Sequence, residues 1–517
     1  MCCDPAHGLA AAPGEKVLGL GVLEEGVAPA IEVTLALGDQ WRHPVRGAFV
    51  EIPGKADERL EVTSRAHRAN CECGVNTSAG LVGRGALSLH LGVADGHVFQ
   101  PSLPSAGIAE TVELRTMTNA ADWRGAIRTL AAIDRPSASD GERRAAEWIA
   151  GRLRALGWET EIEAERAHGG YWWPVGLANV LSAVAGVLAL RRRNRRSRAL
   201  AASLAGICAA ALWDDLGHGR RWFRRALLPH RRTWNVLAHA GDPGAQHTVV
   251  VIAHHDAAHS GLVFHPALGR LGPKLMPRVH ERSSQIVPIL YAVWLGPVMV
   301  GAGAAAGVAR LVRAGVALAL GAAAAMADIG ARRAVPGAND NLSAVGVLLA
   351  VAHSLRENPL EGVRVLLLST GSEESFSEGM QAFGRRHFAE LDPASTELLC
   401  LECLGGSELI VLEGEGMLRM RDYPREMRDA LAQAAAEAGV GIRRGIRTVA
   451  ATDAVIALRA GYPVVTLASV EATKLPINYH WPSDTPEALH WETIEDAIAV
   501  CERFLRAREC RYSLGEH

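Results

Sequence analysis

Aromatic residues, cysteine and net charge are all scarce in this chain of 517 residues. Phe, Trp and Tyr together make up 5% of the residues, and the formal net charge is −2. Basic clusters occur, but aromatic residues are not interleaved with them and no zinc-finger or helix-turn-helix pattern appears, so nucleic-acid binding is not expected. The balanced total charge predicts no acidic partner either, although the local arginine clusters suit a membrane surface.

The nine cysteines are an odd number and are scattered along the chain. They do not form a disulfide framework, and this favours a reducing compartment. Cys400 and Cys403 have the spacing of half a zinc-binding motif, but no second pair lies nearby, so we interpret them as buried thiols of a strand. The pattern of a secretory signal does not open the chain, and none is expected.

Apolar residues are abundant, at 49% of the chain, which is enough for a large folded core. Changes in composition divide the chain into six predicted segments. These are a poorly patterned N-terminal extension (1–116), the start of an α/β domain (117–171), a first inserted apolar hairpin (172–232), a core segment (233–260), a second inserted apolar hairpin (261–333) and the remaining core (334–517). Residues 1–116 are compatible with an extension, an incorrectly assigned start or a small β-rich domain, and the sequence leaves this open.

The two insertions contain four long apolar runs. Residues 172–190 carry no charge and are long enough to span a bilayer, and a turn with six arginines follows at 191–198. Further apolar runs lie at 199–213, 286–308 and 314–329, of which the first and third are shorter than the roughly 17–25 residues of a typical span. Ala-rich helices buried in a soluble protein are the alternative. We expect membrane hairpins, because a hairpin crosses the membrane an even number of times. The segments before and after it then lie on the same side and can join one sheet.

The arginines do not settle the orientation of these hairpins. Arginines cluster both in the first hairpin turn and on the flanks of the core, whereas the positive-inside rule would keep all of them in the cytoplasm. The cysteine pattern and the lack of a signal favour a cytoplasmic catalytic side for a membrane-associated protein. Shallow interfacial insertion would remove the conflict.

Strands and helices alternate outside the insertions. The run at 363–369 is typical of an apolar strand buried on both faces, and further strands are predicted at 247–253 and 398–404. Helical patterns lie at 341–355, 378–388 and 493–508. This alternation predicts an α/β fold, with a mostly parallel mixed sheet flanked by helices.

Chemically reactive side chains follow these strands. His254 comes directly after the strand at 247–253, and Asp256, two residues later, is suited to orient a histidine that binds a metal. Glu373 and Glu374 follow the strand at 363–369. Adjacent carboxylates repel each other, so they require a cation or a raised pKa, and one can bind a metal while the other transfers a proton.

Three further candidates complete the set. Asp340 lies in a Gly-containing turn directly before an apolar helix, where helix capping is the ordinary role of an Asn-Asp-Asn sequence. Glu402 lies inside an apolar run and needs a partner, and His480 lies in a loop with Asp484 available as support. Each residue alone has an ordinary structural explanation, but together they lie at the carboxyl edge of the predicted sheet. Two histidines and three carboxylates are what two Zn²⁺ ions require if one carboxylate is shared.

Residues 122–508 resemble the co-catalytic di-zinc exopeptidases of metallopeptidase family 28, which includes many bacterial aminopeptidases. The matching motifs are His254-x-Asp256, Gly337-Ala338-Asn339-Asp340-Asn341, Glu373-Glu374, Glu402 after its strand, and His480 ahead of Ser483-Asp484-Thr485. The resemblance implies a zinc-exopeptidase-like fold with two Zn²⁺ per chain, about 3.5–4 Å apart.

The resemblance also implies a role for each residue. Asp340 would bridge both metals, and the remaining metal ligands would be His254 and Glu402 at one site and Glu374 and His480 at the other. Among the catalytic residues, Glu373 would be the general base that activates a metal-bridging water, and Asp256 would orient His254.

The chain departs from this family in three places. About eighty residues separate the first histidine motif from Asp340, Glu402 stands where an aspartate is common, and Ser375-Phe376-Ser377 replaces a small, Gly-rich turn. The predicted function is a membrane-associated, zinc-dependent peptidase, most simply an aminopeptidase acting on peptides. The alternatives are a non-catalytic scaffold with the same fold, and a glutaminyl-cyclase-like enzyme or another zinc amidohydrolase.

Overall fold

The computed structural model describes residues 122–192, 194–284 and 290–513, together with seven short strands between residues 16 and 99. The chain forms two compact units, Met1–Thr118 and Asn119–His517. The strands of the first unit are β1 (Lys16–Leu18), β2 (Val33–Leu35), β3 (Ala48–Glu51), β4 (Arg59–Ala69), β5 (Glu72–Ser78), β6 (Ser88–Gly92) and β7 (Val98–Phe99). β1 pairs with β2, and the other five form an antiparallel sheet in the order β5-β4-β3-β6-β7. Most of the predicted extension at 1–116 lies outside the described residues, so its interpretation stays open.

The second unit is built on a mixed sheet of nine strands, which confirms the predicted fold class. Its strands are β8 (Glu159–Ala167), β9 (Arg231–Gly241), β10 (His247–His254), β11 (Val363–Thr370), β12 (Thr396–Glu402), β13 (Glu408–Glu415), β14 (Arg421–Asp422), β15 (Arg443–Thr448) and β16 (Val464–Val470). The order is β14-β13-β16-β12-β10-β11-β9-β8, and β15 pairs with β13. The four central strands, β16-β12-β10-β11, are parallel, whereas antiparallel strands lie on both sides of them.

The helices of the second unit cover the faces of this sheet or belong to the two insertions at 172–232 and 261–333. They are α1 (Trp123–Ala131), α2 (Asp140–Ala155), α3 (Trp172–Arg192), α4 (Arg195–Leu216), α5 (Trp222–Leu227), α6 (Pro266–Gly269), α7 (Leu271–Leu275), α8 (Pro277–Arg282), α9 (Leu290–Ala306), α10 (Ala309–Ala331), α11 (Ser343–Glu357), α12 (Glu378–His387), α13 (Arg425–Glu437), α14 (Ala454–Ala460) and α15 (Trp491–Ser513). Val249 and Val251 of β10 pack with α1, α2, α11, α13 and α15, whereas Val250 and Ile252 pack with α12 and α14. Because successive side chains of a strand point to opposite faces, a continuously apolar strand has a helical layer on each side.

The two apolar insertions form the hairpins α3-α4 and α9-α10, which pack together as a four-helix bundle. Helices α3, α4 and α10 are long and apolar enough to cross a membrane, with 21, 22 and 23 residues. The lengths of these helices differ from the lengths of the apolar runs in the sequence. The runs that looked short are extended by polar residues at their ends, whereas α9, from the longest run, has 17 described residues.

Glycines allow α9 and α10 to approach closely. A Cβ atom on Gly296 would lie 2.8 Å from the backbone nitrogen of Ala319, and one on Gly315 would lie 2.7 Å from that of Val300. Small residues at such positions are typical of helix pairs packed in lipid.

Candidate metal centre

The carboxyl ends of the parallel strands bring the predicted ligands to one edge of the sheet. β10 ends at His254, β12 ends at Glu402, and Glu374 lies in the turn after β11. His480 lies in the loop after β16, and Asp340 lies in the loop before α11. Neighbouring parallel strands end at the same edge, which is where open α/β sheets hold their sites.

The carboxylate of Asp340 lies between the two histidines. Its Oδ1 is 3.2 Å from Nε2 of His254, and its Oδ2 is 3.2 Å from Nε2 of His480. Oε1 of Glu402 lies 3.7 Å from Nε2 of His254, and Oε2 of Glu374 lies 3.1 Å from Nε2 of His480. Three groups of three have their ligand atoms within 4.8 Å of one another: His254 with Asp340 and Glu402, His480 with Asp340 and Glu374, and His254 with Glu373 and Glu374. The first two share Asp340 and are the two ligand groups considered below.

The electrostatics of the site fit a divalent cation. Burial raises the pKa of Glu374 to about 7 and that of Glu373 well above its usual range. Burial lowers the pKa of His254, but the carboxylates of Asp256 and Asp340 more than offset this, so that pKa lies well above its ordinary value. Nε2 of His254 and Oε1 of Glu374 are buried without a hydrogen-bond partner among the described residues. A cation bound by these nitrogen and oxygen atoms would relieve both the negative charge and the unpaired atoms, and such ligands are those of catalytic zinc.

Asp256 is fully buried behind His254 and also holds the glutamate turn. Its Oδ1 lies 3.3 Å from Nδ1 of His254 and accepts a hydrogen bond from the backbone N–H of Glu373 at 3.0 Å. Its Oδ2 accepts hydrogen bonds from the N–H of Glu374 at 3.1 Å and from the hydroxyl of Ser137 at 2.6 Å. One carboxylate therefore positions parts of both ligand groups.

The capping role considered for Asp340 is wrong. Helix α11 begins at Ser343, and the backbone of Asp340, with φ −110° and ψ 87°, is not helical. The carboxylate of Asp484 accepts the backbone N–H groups of Asn339 at 2.7 Å and Asp340 at 3.1 Å. Asp484 therefore supports the loop that carries Asp340, whereas the sequence suggested that it supports His480.

Arg135, which holds the other side of this loop, was not predicted. Its guanidinium is completely buried and donates to the carbonyls of His255 at 2.8 Å, Pro336 at 2.6 Å and Gly337 at 2.9 Å. Gly337 has a positive φ of 59°, and a Cβ atom there would lie 2.7 Å from Nη2 of Arg135. A lone arginine before a proline has no sequence pattern that predicts this role.

Asp453 was missed for a different reason. In the sequence it looks like an ordinary cap before α14, but its side chain makes no capping hydrogen bond and instead accepts the hydroxyl of Thr370 at the end of β11. Burial raises the pKa of Asp453 to about 7, and the nearby carboxylates add to this rise. It adds a further acidic group to the same buried region.

The turn after Glu374 is fixed by the end of the first apolar hairpin. Phe376 and Ser377 have positive φ values of 68° and 57°, a conformation that costs energy in residues other than glycine. Arg221 donates to the carbonyl of Phe376, and Arg224 donates to that of Ser375 at 2.7 Å. These hydrogen bonds hold a backbone conformation that a Gly-rich turn would adopt without support.

A buried ion cluster anchors these arginines. Arg224 is paired with Asp215 of α4 at 2.8 Å and lies 3.8 Å from Glu378 of α12. Glu378 also accepts the backbone N–H groups of His168 and Gly169. The hairpin and the glutamate turn are thus connected by charged side chains that are nearly inaccessible to solvent.

Part of the chain matches the model of a known protein family. Residues 323–505 match the model of "Peptidase family M28". This range contains Asp340, Glu373, Glu374, Glu402 and His480, whereas His254 precedes it and joins the others only through the fold. The comparison with curated proteins returned no match.

Solved structures similar to the chain include two kinds of enzyme. The aminopeptidase from Aneurinibacillus sp. strain AM-1 aligns with a TM-score of 0.44 and 13% identity, over 76% of this chain and 94% of that one. The zinc aminopeptidase BSAP from Bacillus subtilis gives 0.43 and 15%, over 75% and 95%. The glutaminyl cyclase of Porphyromonas gingivalis gives 0.41 and 13%, over 75% and 98%. Together with the family match, the motifs and the sheet confirm the resemblance found in the sequence: over residues 323–505, this chain has the pattern of peptidase family M28.

Proposed function

We propose that this protein is a membrane-associated metallopeptidase that binds two Zn²⁺ per chain and acts as an aminopeptidase on peptides. The observation that carries this proposal is the placement of Asp340, whose two oxygens each face a different histidine at 3.2 Å. A carboxylate that contacts two separate nitrogen ligands in this way is suited to be shared by two cations.

The side chains of this site divide into ligands and a base. His254 and Glu402 would hold one Zn²⁺, His480 and Glu374 the other, and Asp340 both. When bound, Zn²⁺ lowers the pKa of water and polarises a carbonyl group.

Glu373 is assigned to proton transfer. It is the carboxylate farthest from a ligand nitrogen, with Oε2 3.9 Å from Nε2 of His254, and its Oε1 lies 3.4 Å from the hydroxyl of Ser377. Burial raises its pKa, as suits a group that accepts a proton from the attacking water and returns it to the leaving amine. Asp256 orients the ring of His254 and holds the backbone of Glu373 and Glu374 through hydrogen bonds.

Membrane association is supported by the three helices with the length and hydropathy of spans. Large apolar side chains lie exposed along α3 and α4, including Val184 at 51% and Ile207 at 55%. Exposed apolar side chains along a helix bundle are stable in contact with lipid and unfavourable in water. We further propose that the catalytic side faces the cytoplasm.

The test is the metal content and activity of the purified full-length protein, with Glu373→Gln as the matched control. We expect two Zn²⁺ per chain in both proteins, and hydrolysis of aminoacyl amides that falls by about 10²–10⁴-fold in Glu373→Gln. One Zn²⁺ with cyclisation of N-terminal glutaminyl peptides would favour a cyclase. A metal content near zero would contradict the proposal and favour a non-catalytic scaffold.

A further inference from the structure

Residues 262–284 lie in the sequence between the first histidine of the metal centre and the second hairpin. They begin shortly after His254, include α6, α7 and α8, and lead towards the start of α9. None of these residues is buried. Six large apolar side chains are between 46% and 74% exposed: Leu262, Leu268, Leu271, Leu275, Met276 and Val279. So many exposed apolar side chains in a short segment indicate a contact surface, because isolated ones are common but clusters are not.

Cations are interspersed with these apolar residues. Arg270, Lys274, Arg278 and Arg282 are exposed, and Glu281 is the segment's single acidic residue. Among the described residues, none of the four cations forms an ion pair with a carboxylate. A segment with exposed leucines and unpaired cations has the composition of an interfacial membrane anchor, since apolar side chains enter the headgroup layer while cations contact anionic lipids.

Tryptophans indicate that this segment lies at the level of a membrane surface. Trp172 and Trp173 begin α3, Trp213 lies near the end of α4, and Trp294 lies near the start of α9, with the rings of Trp213 and Trp294 5.2 Å apart. All of these helix ends are the ends joined to the catalytic unit. Tryptophans are enriched at membrane–water interfaces, so their position marks the interface at the end of the bundle nearest the catalytic unit.

The same segment is fastened to the loop that carries His480. The ring of Phe264 lies 4.6 Å from that of His480, and the ammonium group of Lys474 donates to the carbonyls of His280 and Ser283. Any surface that binds residues 262–284 is therefore held next to the metal centre.

We propose that residues 262–284 form a docking segment for an anionic lipid surface, which holds the metal centre at the headgroup layer. Its charge selects the partner, because four unpaired cations and one carboxylate favour anionic over zwitterionic lipid. The substrates that this geometry favours are peptides presented at the membrane surface. The docking of the segment rests on the membrane association proposed above and does not depend on the reaction catalysed, whereas the substrate class rests on the proposed peptidase function.

The test is photo-crosslinking of the full chain in lipid nanodiscs, with p-benzoyl-phenylalanine in place of Leu275. The same probe in place of Ile207, which is exposed in the middle of α4, is the control for lipid around the bundle. The probe in place of Glu147, exposed on α2 of the catalytic unit, reports non-specific labelling. Discs contain phosphatidylcholine alone or phosphatidylcholine with phosphatidylglycerol.

We expect lipid adducts at position 275 in discs with phosphatidylglycerol. The yield should fall about tenfold or more in the double variant Lys274→Gln and Arg278→Gln, because each cation near an anionic surface contributes a several-fold gain in binding. Adducts at position 207 without adducts at 275 would overturn the docking segment while leaving membrane association intact. Absence of adducts at both positions would overturn both. Cross-links at 275 to a second copy of the chain, or equal yields with both lipid compositions and both cation states, would also overturn the proposal.

Discussion

Asp256→Asn tests whether the centre depends on a negative charge that touches no metal. The carboxylate uses both oxygens, Oδ1 towards Glu373 N–H and His254, and Oδ2 towards Glu374 N–H and the hydroxyl of Ser137. Burial raises the pKa of Asp256, but the adjacent His254 more than offsets this, so the pKa lies below its ordinary value and the group is ionised at neutral pH. The variant retains the shape of the side chain and loses the charge and one acceptor.

Each orientation of the new amide breaks a different contact. If its NH₂ group replaces Oδ2, the hydroxyl of Ser137 can rotate to accept, but the N–H of Glu374 loses its acceptor. If it replaces Oδ1, the N–H of Glu373 loses its acceptor, and Nδ1 of His254 faces a donor. His254 would then carry its proton on Nε2, the atom that faces Asp340, and could not bind a metal through it.

The expected loss follows from these contacts. A buried donor without an acceptor costs about 1–3 kcal/mol. Removal of a residue that orients a metal ligand lowers metal affinity about 10–100-fold, which corresponds to about 1.4–2.8 kcal/mol. The first cost lowers the stability of the metal-free protein. The second lowers Zn²⁺ affinity, which we expect to fall by one to two orders of magnitude.

The assay is a Zn²⁺ titration in competition with a chromophoric chelator, together with Tm of the metal-free protein. Ser137→Ala is the control, because it removes one hydrogen bond and keeps the carboxylate and both backbone contacts. Its affinity should fall less than about tenfold. Wild-type Zn²⁺ affinity in Asp256→Asn would refute the proposed orientation of His254 by charge.

Three further predictions concern the bridge, a buried carboxyl and the ion cluster. Asp340→Ala should lower the bound zinc per chain to near zero by elemental analysis, and retention of one tightly bound ion would contradict the bridge. Burial raises the pKa of Glu415 to about 8 from 4.5, so the stability contributed by its neutral form is complete below pH 4.5 and is lost as pH rises through 8. Glu415→Gln should therefore show a smaller fall in Tm between pH 5 and pH 8 than the wild type in the presence of a chelator, and an equal fall would be inconsistent with this pKa. Arg224→Met removes the cation that lies 2.8 Å from the buried carboxylate of Asp215, leaving Arg221 at 3.9 Å, and should cost about 3–5 kcal/mol; the exposed Arg225→Met is its control, and equal Tm values for the two variants would count against the cluster.

The local chemistry of the centre was predictable from the sequence because it depends on residue type and on strand ends. Continuous apolar runs predicted β10, β11 and β12, and parallel strands bring their final residues to one edge, so His254, Glu374 and Glu402 could be expected to meet. Strands β14 and β15 were not predicted, since the polar sequence at 443–448 and the two-residue β14 carry no periodic pattern. Strand β13 was also not predicted, although it contains a short apolar run at 409–412.

Only the tertiary structure decided how the centre is held. The sequence shows that Asp340 precedes an apolar helix, but not that each of its oxygens faces a different histidine, because that depends on how segments distant in the sequence pack together. The roles of Arg135 at the Asp340 loop and of Arg224 at the glutamate turn were also not predictable from the sequence. Their partners are backbone carbonyls and carboxylates that lie far away in the sequence. Residue type and periodicity determine which groups are available and on which element they lie, whereas hydrogen bonds to backbone atoms have no sequence pattern and are fixed only when the chain is folded.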